Sequence, residues 1–131
     1  MPSIFSRIIA GEIPCDRVWE DELFFAFLDI NPVQPGHVLL VTKQEVDVPY
    51  DLDDAAYAAF FLAAKRLIEP IRRAMGSVKV ALAIEGLEVP HAHIHLIPIS
   101  KPGDFRAPGR AMSDEERAVI AEKIRAEIAK G

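Results

Sequence analysis

The chain has a single cysteine, Cys15, among its 131 residues. One thiol excludes an internal disulfide and any zinc site built on several cysteines, and it suits a reducing compartment, so a cytoplasmic location is expected. A dense basic cluster is also missing: 15 Lys and Arg against 20 Asp and Glu leave a formal net charge of −5. That balance argues against a protein that grips many phosphates of a nucleic-acid backbone, while small anionic ligands remain open. No stretch approaches the run of about 20 apolar residues that spans a bilayer. The opening "MPSIFSRIIAGEIP" places acidic and proline residues before any apolar run of useful length, so neither a signal peptide nor a membrane span is expected. What remains is ordinary for a globular chain, with 50% apolar and 27% charged residues. One domain over residues 1–131 is expected, large enough for a hydrophobic core without disulfides or a structural metal.

Periodicity then divides the chain. Ile4, Phe5, Ile8 and Ile9 lie at helical spacing within "SIFSRIIA", and Gly11 and Pro14 stop the helix. "RVWE" and "LFFAFLDI", separated by an acidic turn, read as a hairpin. After "NPVQPGH", the run "HVLLVT" over 37–42 reads as a buried third strand. From Asp53 to Met75, apolar residues recur every three or four positions up to Gly76, which predicts the main helix, with Pro70 expected to kink its last turns. "VKVALAI" and "HAHIHLIPI" predict two further strands joined by "EGLEVP". Residues 101–112 read as a loop, and Ser113 with Glu116 forms a capping-box pattern before a helix burying Ile120, Ile124 and Ile128. The expected architecture is α+β: a largely antiparallel five-stranded sheet packed with one long helix, a short N-terminal helix and a C-terminal helix.

The stretch "VPHAHIHLIPIS" carries the chemistry. On a strand, His91, His93 and His95 point to one face about 6.5 to 7 Å apart, while Ala92, Ile94 and Leu96 point to the other. Partly exposed strand histidines without a role are one explanation. However, neutral imidazoles each need a donor and an acceptor, and charged ones repel, so such a row costs stability unless something is gained from it. Metal binding is a second explanation, with Asp29, Glu85 or Glu88 as possible oxygen donors and His37 as the only other histidine. Yet three same-face residues of one strand form a row rather than a cup. The third is nucleophilic catalysis: a neutral ring attacks an electrophile while its other nitrogen is held by an acceptor. His93 is best placed for attack, with His91 and His95 to orient substrate or donate protons. Clustering itself disfavours protonation along the row.

The segment His91-Ala92-His93-Ile94-His95-Leu96-Ile97 matches H-φ-H-φ-H-φ-φ, and with "IFSRIIAGEIP", "VWEDE" and "FAFLDINPVQPGHVLLVTK" the chain resembles the histidine-triad family over residues 3 to 99. The resemblance implies that His93 attacks the α-phosphorus of a purine nucleotide conjugate. A covalent nucleotidyl-histidine would form and be released by water, with His95 and His91 assisting. It also implies that Asp29 binds the ribose hydroxyls and that Phe5, Ile8, Phe27 and Ile30 line an apolar base pocket, although ordinary core packing explains the same spacings. His37 is placed near the triad, a solvated loop position being the alternative, and Glu88 at the nucleotide. A homodimer with the two sheets joined is further implied, and no cofactor.

Two departures from the family pattern stand out. Family members often carry CxxC near the N-terminus and a later histidine for structural zinc, whereas this chain has Ser3 and Ser6 and reads "KQEVDVPYDL" in the matching stretch, so no metal is expected. Before the triad, Leu87 stands where the family commonly has Gln, and Glu88 follows, where it would repel a phosphate unless turned away or paired. Two other functional classes stay open: a nucleotide-binding or adaptor protein of slow turnover, and a metal-dependent hydrolase built on the histidine row.

Overall fold

A computed structural model describes residues 2–131. Five strands form one antiparallel sheet: β1 (Arg17–Glu20), β2 (Phe24–Leu28), β3 (Val38–Thr42), β4 (Lys79–Ala83) and β5 (His93–Ile99). Their order across the sheet is β1-β2-β3-β5-β4, so β4 and β1 are the edges. Three α-helices accompany them: α1 (Ile4–Ile9), α2 (Asp54–Met75) and α3 (Asp114–Lys130). This is the expected α+β architecture, with strand boundaries within two residues of the sequence reading, the largest shifts being the end of β2 and the start of β5. No helix among the described residues is long and apolar enough to cross a membrane.

Local chemistry sets the helix limits. The Asp53 carboxylate accepts the Ala56 N–H at 2.8 Å and starts α2, and Gly76 in the left-handed region ends it. Pro70 lies within α2, which nevertheless continues to Met75. The Ser113 hydroxyl accepts from the Glu116 N–H while the Glu116 carboxylate accepts from the Ser113 N–H, completing the predicted capping box of α3.

The sheet has two unlike faces, set by the period-two alternation of its strands. One face presents Phe24, Ala26, Leu28, Val38, Leu40, Ile94 and Leu96, which pack with Phe60, Leu67 and Ile71 of α2 and Ile120 and Ile124 of α3 into the main core. Fully burying a large aliphatic or aromatic side chain of this kind contributes about 1.5 to 3 kcal/mol. The opposite face presents Phe25, Phe27, Leu39 and Val41, packed with Phe5 of α1. In register, Val41 is paired with His93, Leu39 with His95, and His95 in turn with Ala83. His93 and His95 therefore lie on the face covered by α1.

Gly36 fixes where β3 begins. Its φ is +89°, and a Cβ there would stand 2.5 Å from Met75 Cγ of α2. The chain turns at this glycine and brings His37 against the sheet immediately before β3.

Candidate active site

β5 begins at His93, not at His91, which corrects the expected strand of three histidines in line. β3 stops at Thr42, and the two strands part: the Thr42 N–H donates to Ala92 O at 3.3 Å, and the Ala92 N–H donates to Val46 O at 2.8 Å. His91 thus precedes the ladder, but its ring still turns to the α1 face. Phe5 meets the His91 ring edge-on at 5.6 Å and the His93 ring at 5.0 Å, and the His93 and His95 ring centres are 5.0 Å apart.

The hydrogens of His37, His91 and His93 follow from their backbone partners, and that of His95 from His37. Carbonyls only accept and amide N–H groups only donate, so each contact to the backbone fixes one ring nitrogen. His93 Nδ1 lies 2.6 Å from the His91 carbonyl, so Nδ1 carries the hydrogen and Nε2 keeps its lone pair in the neutral ring. The Val33 N–H donates to His37 Nδ1 at 3.0 Å, so the His37 hydrogen is on Nε2, from which it is donated to His95 Nδ1 at 2.9 Å. Neutral His95 therefore carries its hydrogen on Nε2. His91 Nε2 lies 2.6 Å from the Thr42 carbonyl and donates to it, leaving Nδ1 to accept the Ser3 hydroxyl at 2.5 Å.

Electrostatics keep the supporting rings neutral. Burial pushes the His37 pKa down to about 4, with nearby Asp29 partly opposing the shift. Desolvation likewise lowers His91, against the raising effect of its bond to Thr42. It also lowers His95, where the neighbouring His93 adds to the effect and Asp29, Glu85 and Glu88 oppose it. The result is three neutral supporting rings, with an N–H donor on His95 beside the His93 ring.

The other sequence-derived candidates fall into three groups. Phe5 and Phe27 are buried together at 5.7 Å, with Ile8 packed beside them on the triad face, as core packing would place them. His37 is only 3% exposed and belongs to the histidine network, which corrects the alternative of a solvated loop histidine. Asp29 does two things: its Oδ1 accepts the Asn31 N–H at 2.8 Å, as a strand-end turn residue would, and its Oδ2 lies 3.7 Å from His37 Nε2. Ile30 stands apart at 64% exposure. Glu88 is exposed on the loop before β5 beside Leu87, which is 86% exposed.

Asp29, His37 and His95 bring one ligand atom each within 4.8 Å of one another, a convergence that spacing did not indicate. The hydrogen placement argues for a relay there and not for a cation. A metal on His37 Nε2 would force the hydrogen onto Nδ1, facing the Val33 N–H, and would break the bond to His95.

Sequence reasoning missed the partners of His91. Ser3, read as part of a helix start and a missing cysteine, bonds its ring directly. Glu45 Oε1 accepts both the Ser3 N–H and the Ser6 hydroxyl at 2.6 Å. No local pattern marks this set, because its members lie 42 and 88 residues from Ser3 along the chain.

The site is thus a row of histidines on one face of an antiparallel sheet, hydrogen-bonded so that His93 keeps a lone pair on Nε2 in its neutral form. Comparison with known proteins agrees in fold and motif. Residues 10–101 match the HIT domain model. The chain is 33% identical to Protein hit of Bacillus subtilis, over 97% of this chain and 92% of that one. It is 30% identical to adenosine 5'-monophosphoramidase hnt1 of Schizosaccharomyces pombe, over 98% and 99%. The structure superimposes on a Zn-bound histidine triad family protein from Mycobacterium smegmatis with a TM-score of 0.83 at 26% identity, covering 97% of this chain and 93% of that one. The chain belongs to the histidine triad (HIT) family, within the superfamily of nucleotide hydrolases and transferases.

Structural zinc does not fit the Ser3, Ser6, Glu45 and His91 set. Serine hydroxyls are not among the thiolate, imidazole and carboxylate donors of such sites, and here both hydroxyl protons are already spent on His91 and Glu45.

Proposed function

We propose that this protein cleaves a phosphorus–nitrogen or phosphoanhydride bond at the α-phosphate of a purine nucleotide conjugate, through a covalent nucleotidyl-histidine at His93. The observation that carries the reading is the His93 Nδ1–H bond to the His91 carbonyl, which leaves Nε2 as a lone pair directed away from its own backbone. Nε2 attacks the α-phosphorus, a P–N bond forms, and the leaving group departs with its bonding electrons. His95, whose hydrogen is on Nε2 through the His37 relay, donates the proton the leaving group needs. Water then attacks the same phosphorus, passes its proton to His95 Nε2 and so restores it, displaces His93 and releases the nucleoside monophosphate.

On this reading Asp29 meets the ribose hydroxyls, since a carboxylate accepts from a diol with both oxygens, and Phe5, Ile8 and Phe27 lie against the base with Ile30 at the open rim. His37 acts through His95. The resemblance between this chain and a yeast adenosine 5'-monophosphoramidase supports nucleoside phosphoramidates as the first substrates to try.

Intact-protein mass spectrometry after brief incubation with adenosine 5'-phosphoramidate and a chelator tests this. We expect an AMP adduct, or metal-free AMP release, that disappears in His93→Ala. Saturable AMP binding with neither adduct nor turnover would instead identify a nucleotide-binding or adaptor protein. That second reading is favoured by the carboxylates of Glu85 and Glu88 acting on His95, because negative charge beside the site resists an incoming phosphate. Chelator-abolished activity would point to a metal-dependent hydrolase.

The same reading includes a homodimer joined along β4. The β1 edge is occupied: Arg125 of α3 donates to the Arg17 carbonyl at 2.6 Å. The β4 edge and its flanks expose Val78, Leu82 and Ile84, an apolar strand edge of the kind that pairs with a second copy.

A further inference from the structure

Ser3, Ser6 and Glu45 are the part of the triad region that the proposed reaction does not use. They form one continuous hydrogen-bonded unit. Ser3 caps α1 by accepting the Ser6 N–H at 3.0 Å, and its own hydroxyl proton goes to His91 Nδ1 at 2.5 Å. Its N–H and the Ser6 hydroxyl both donate to Glu45 Oε1. These bonds hold the Glu45 carboxyl below its usual range, the Ser3 N–H most of all, so it stays an acceptor. The other side of the His91 ring is tied to the Thr42 carbonyl.

His91 is consequently held at both ring nitrogens and has no exposed surface. Its carbonyl is the group that fixes the His93 hydrogen on Nδ1. The same α1 turn carries Phe5, whose ring stands edge-on to His91 and His93. One clamp therefore controls both the cover over the triad and the carbonyl beneath the nucleophile.

We infer that Ser3 and Glu45 are positioning residues for His93: this hydrogen-bonded clamp holds the His91 ring and main chain in place, and so keeps the His91 carbonyl on His93 Nδ1 and the His93 Nε2 free. The consequence for rate rests on His93 being the nucleophile; the consequence for the tautomer does not. Removing the Ser3 hydroxyl leaves His91 Nδ1 as a buried acceptor without a donor. The ring can then shift, the carbonyl moves with it, and His93 populates a second form whose hydrogen is on Nε2.

The experiment compares wild type with Ser3→Ala, Ser3→Thr, Glu45→Ala and Glu45→Gln. Nitrogen-15 NMR of the histidine rings reads tautomers, and adenosine 5'-phosphoramidate turnover is measured in parallel. We expect Ser3→Ala to mix the His93 tautomers and lower kcat roughly 10- to 100-fold, with KM within about twofold. Ser3→Thr keeps the hydroxyl and should restore both. Glu45→Gln keeps an acceptor oxygen and should resemble wild type, whereas Glu45→Ala should follow Ser3→Ala. Glu45 lies at the surface, so that pair gives the answer even if Ser3→Ala fails to fold. A His93 ring that stays in the Nδ1–H form in folded Ser3→Ala or Glu45→Ala overturns the clamp. If wild type neither forms an adduct nor turns over, the proposed reaction fails, while the tautomer comparison still decides the clamp.

Discussion

The two faces of the sheet are built by the same strands and do opposite things. Ile94 and Leu96 of β5 enter an apolar core closed by α2 and α3. His93 and His95, one residue out of phase, meet a face covered by the six-residue α1 and connecting loops. The first face is held by area, since apolar burial is non-directional and tolerates rearrangement. The second is held by direction: four imidazoles, two backbone carbonyls, one backbone N–H and one hydroxyl, each meeting a particular partner. A substitution on the helix side should thus change how much protein is folded, and one on the histidine side what the folded protein does.

The sharpest break in that contrast is His93→Ala. We expect turnover of the phosphoramidate to fall by roughly 10³-fold or more, with thermal unfolding close to wild type.

Its neighbour Ile94 tests the opposite face. Ile94→Ala removes a side chain with no exposed surface and should cost about 2 to 5 kcal/mol, read by urea denaturation, while the molecules still folded keep their activity per site.

Acid should reach the histidine face first. His37 is held at about 4 against an ordinary 6.5, so the unfolded chain binds its proton more readily than the native one. Stability from this group is complete above about pH 6.5 and is lost as pH falls toward 4, by as much as about 3 kcal/mol. Chemical denaturation at a series of pH values checks this, and His37→Gln should flatten the slope.

At the sheet edge, Leu82→Glu places a charge on the exposed β4 strand. Light scattering should show a dimeric wild type and a monomeric variant with the fold intact. The smallest effect belongs to the helix side: Ser113→Ala removes the cap of α3 and should cost about 1 kcal/mol, with no change in catalysis.

Much of this was legible in the amino-acid order. The apolar spacing from Tyr57 to Met75 marked α2, Ser113 with Glu116 marked the start of α3, and the H-x-H-x-H alternation separated the imidazole face from the core. The start of β5 was not legible, because it depends on β3 parting from it after Thr42, and that is a matter of pairing between distant segments. The same holds for His37, which local composition equally allows in a solvated loop after Pro35-Gly36. Only the turn at Gly36 and the register of β3 against β5 bring it to His95. Ser3 and Glu45 left no periodic signal at all.

Sequence alone determined the periods: where side chains repeat every two residues a strand with two faces follows, where they repeat every three or four a helix with one apolar side follows, and three alternate histidines on one such face could hardly be packing. Tertiary structure decided the protonation pattern. Which nitrogen of each ring carries hydrogen is set by carbonyls and amides contributed by residues 33, 42 and 91, and by a hydroxyl at residue 3. A hydrogen bond has a direction in space that no spacing along the chain encodes.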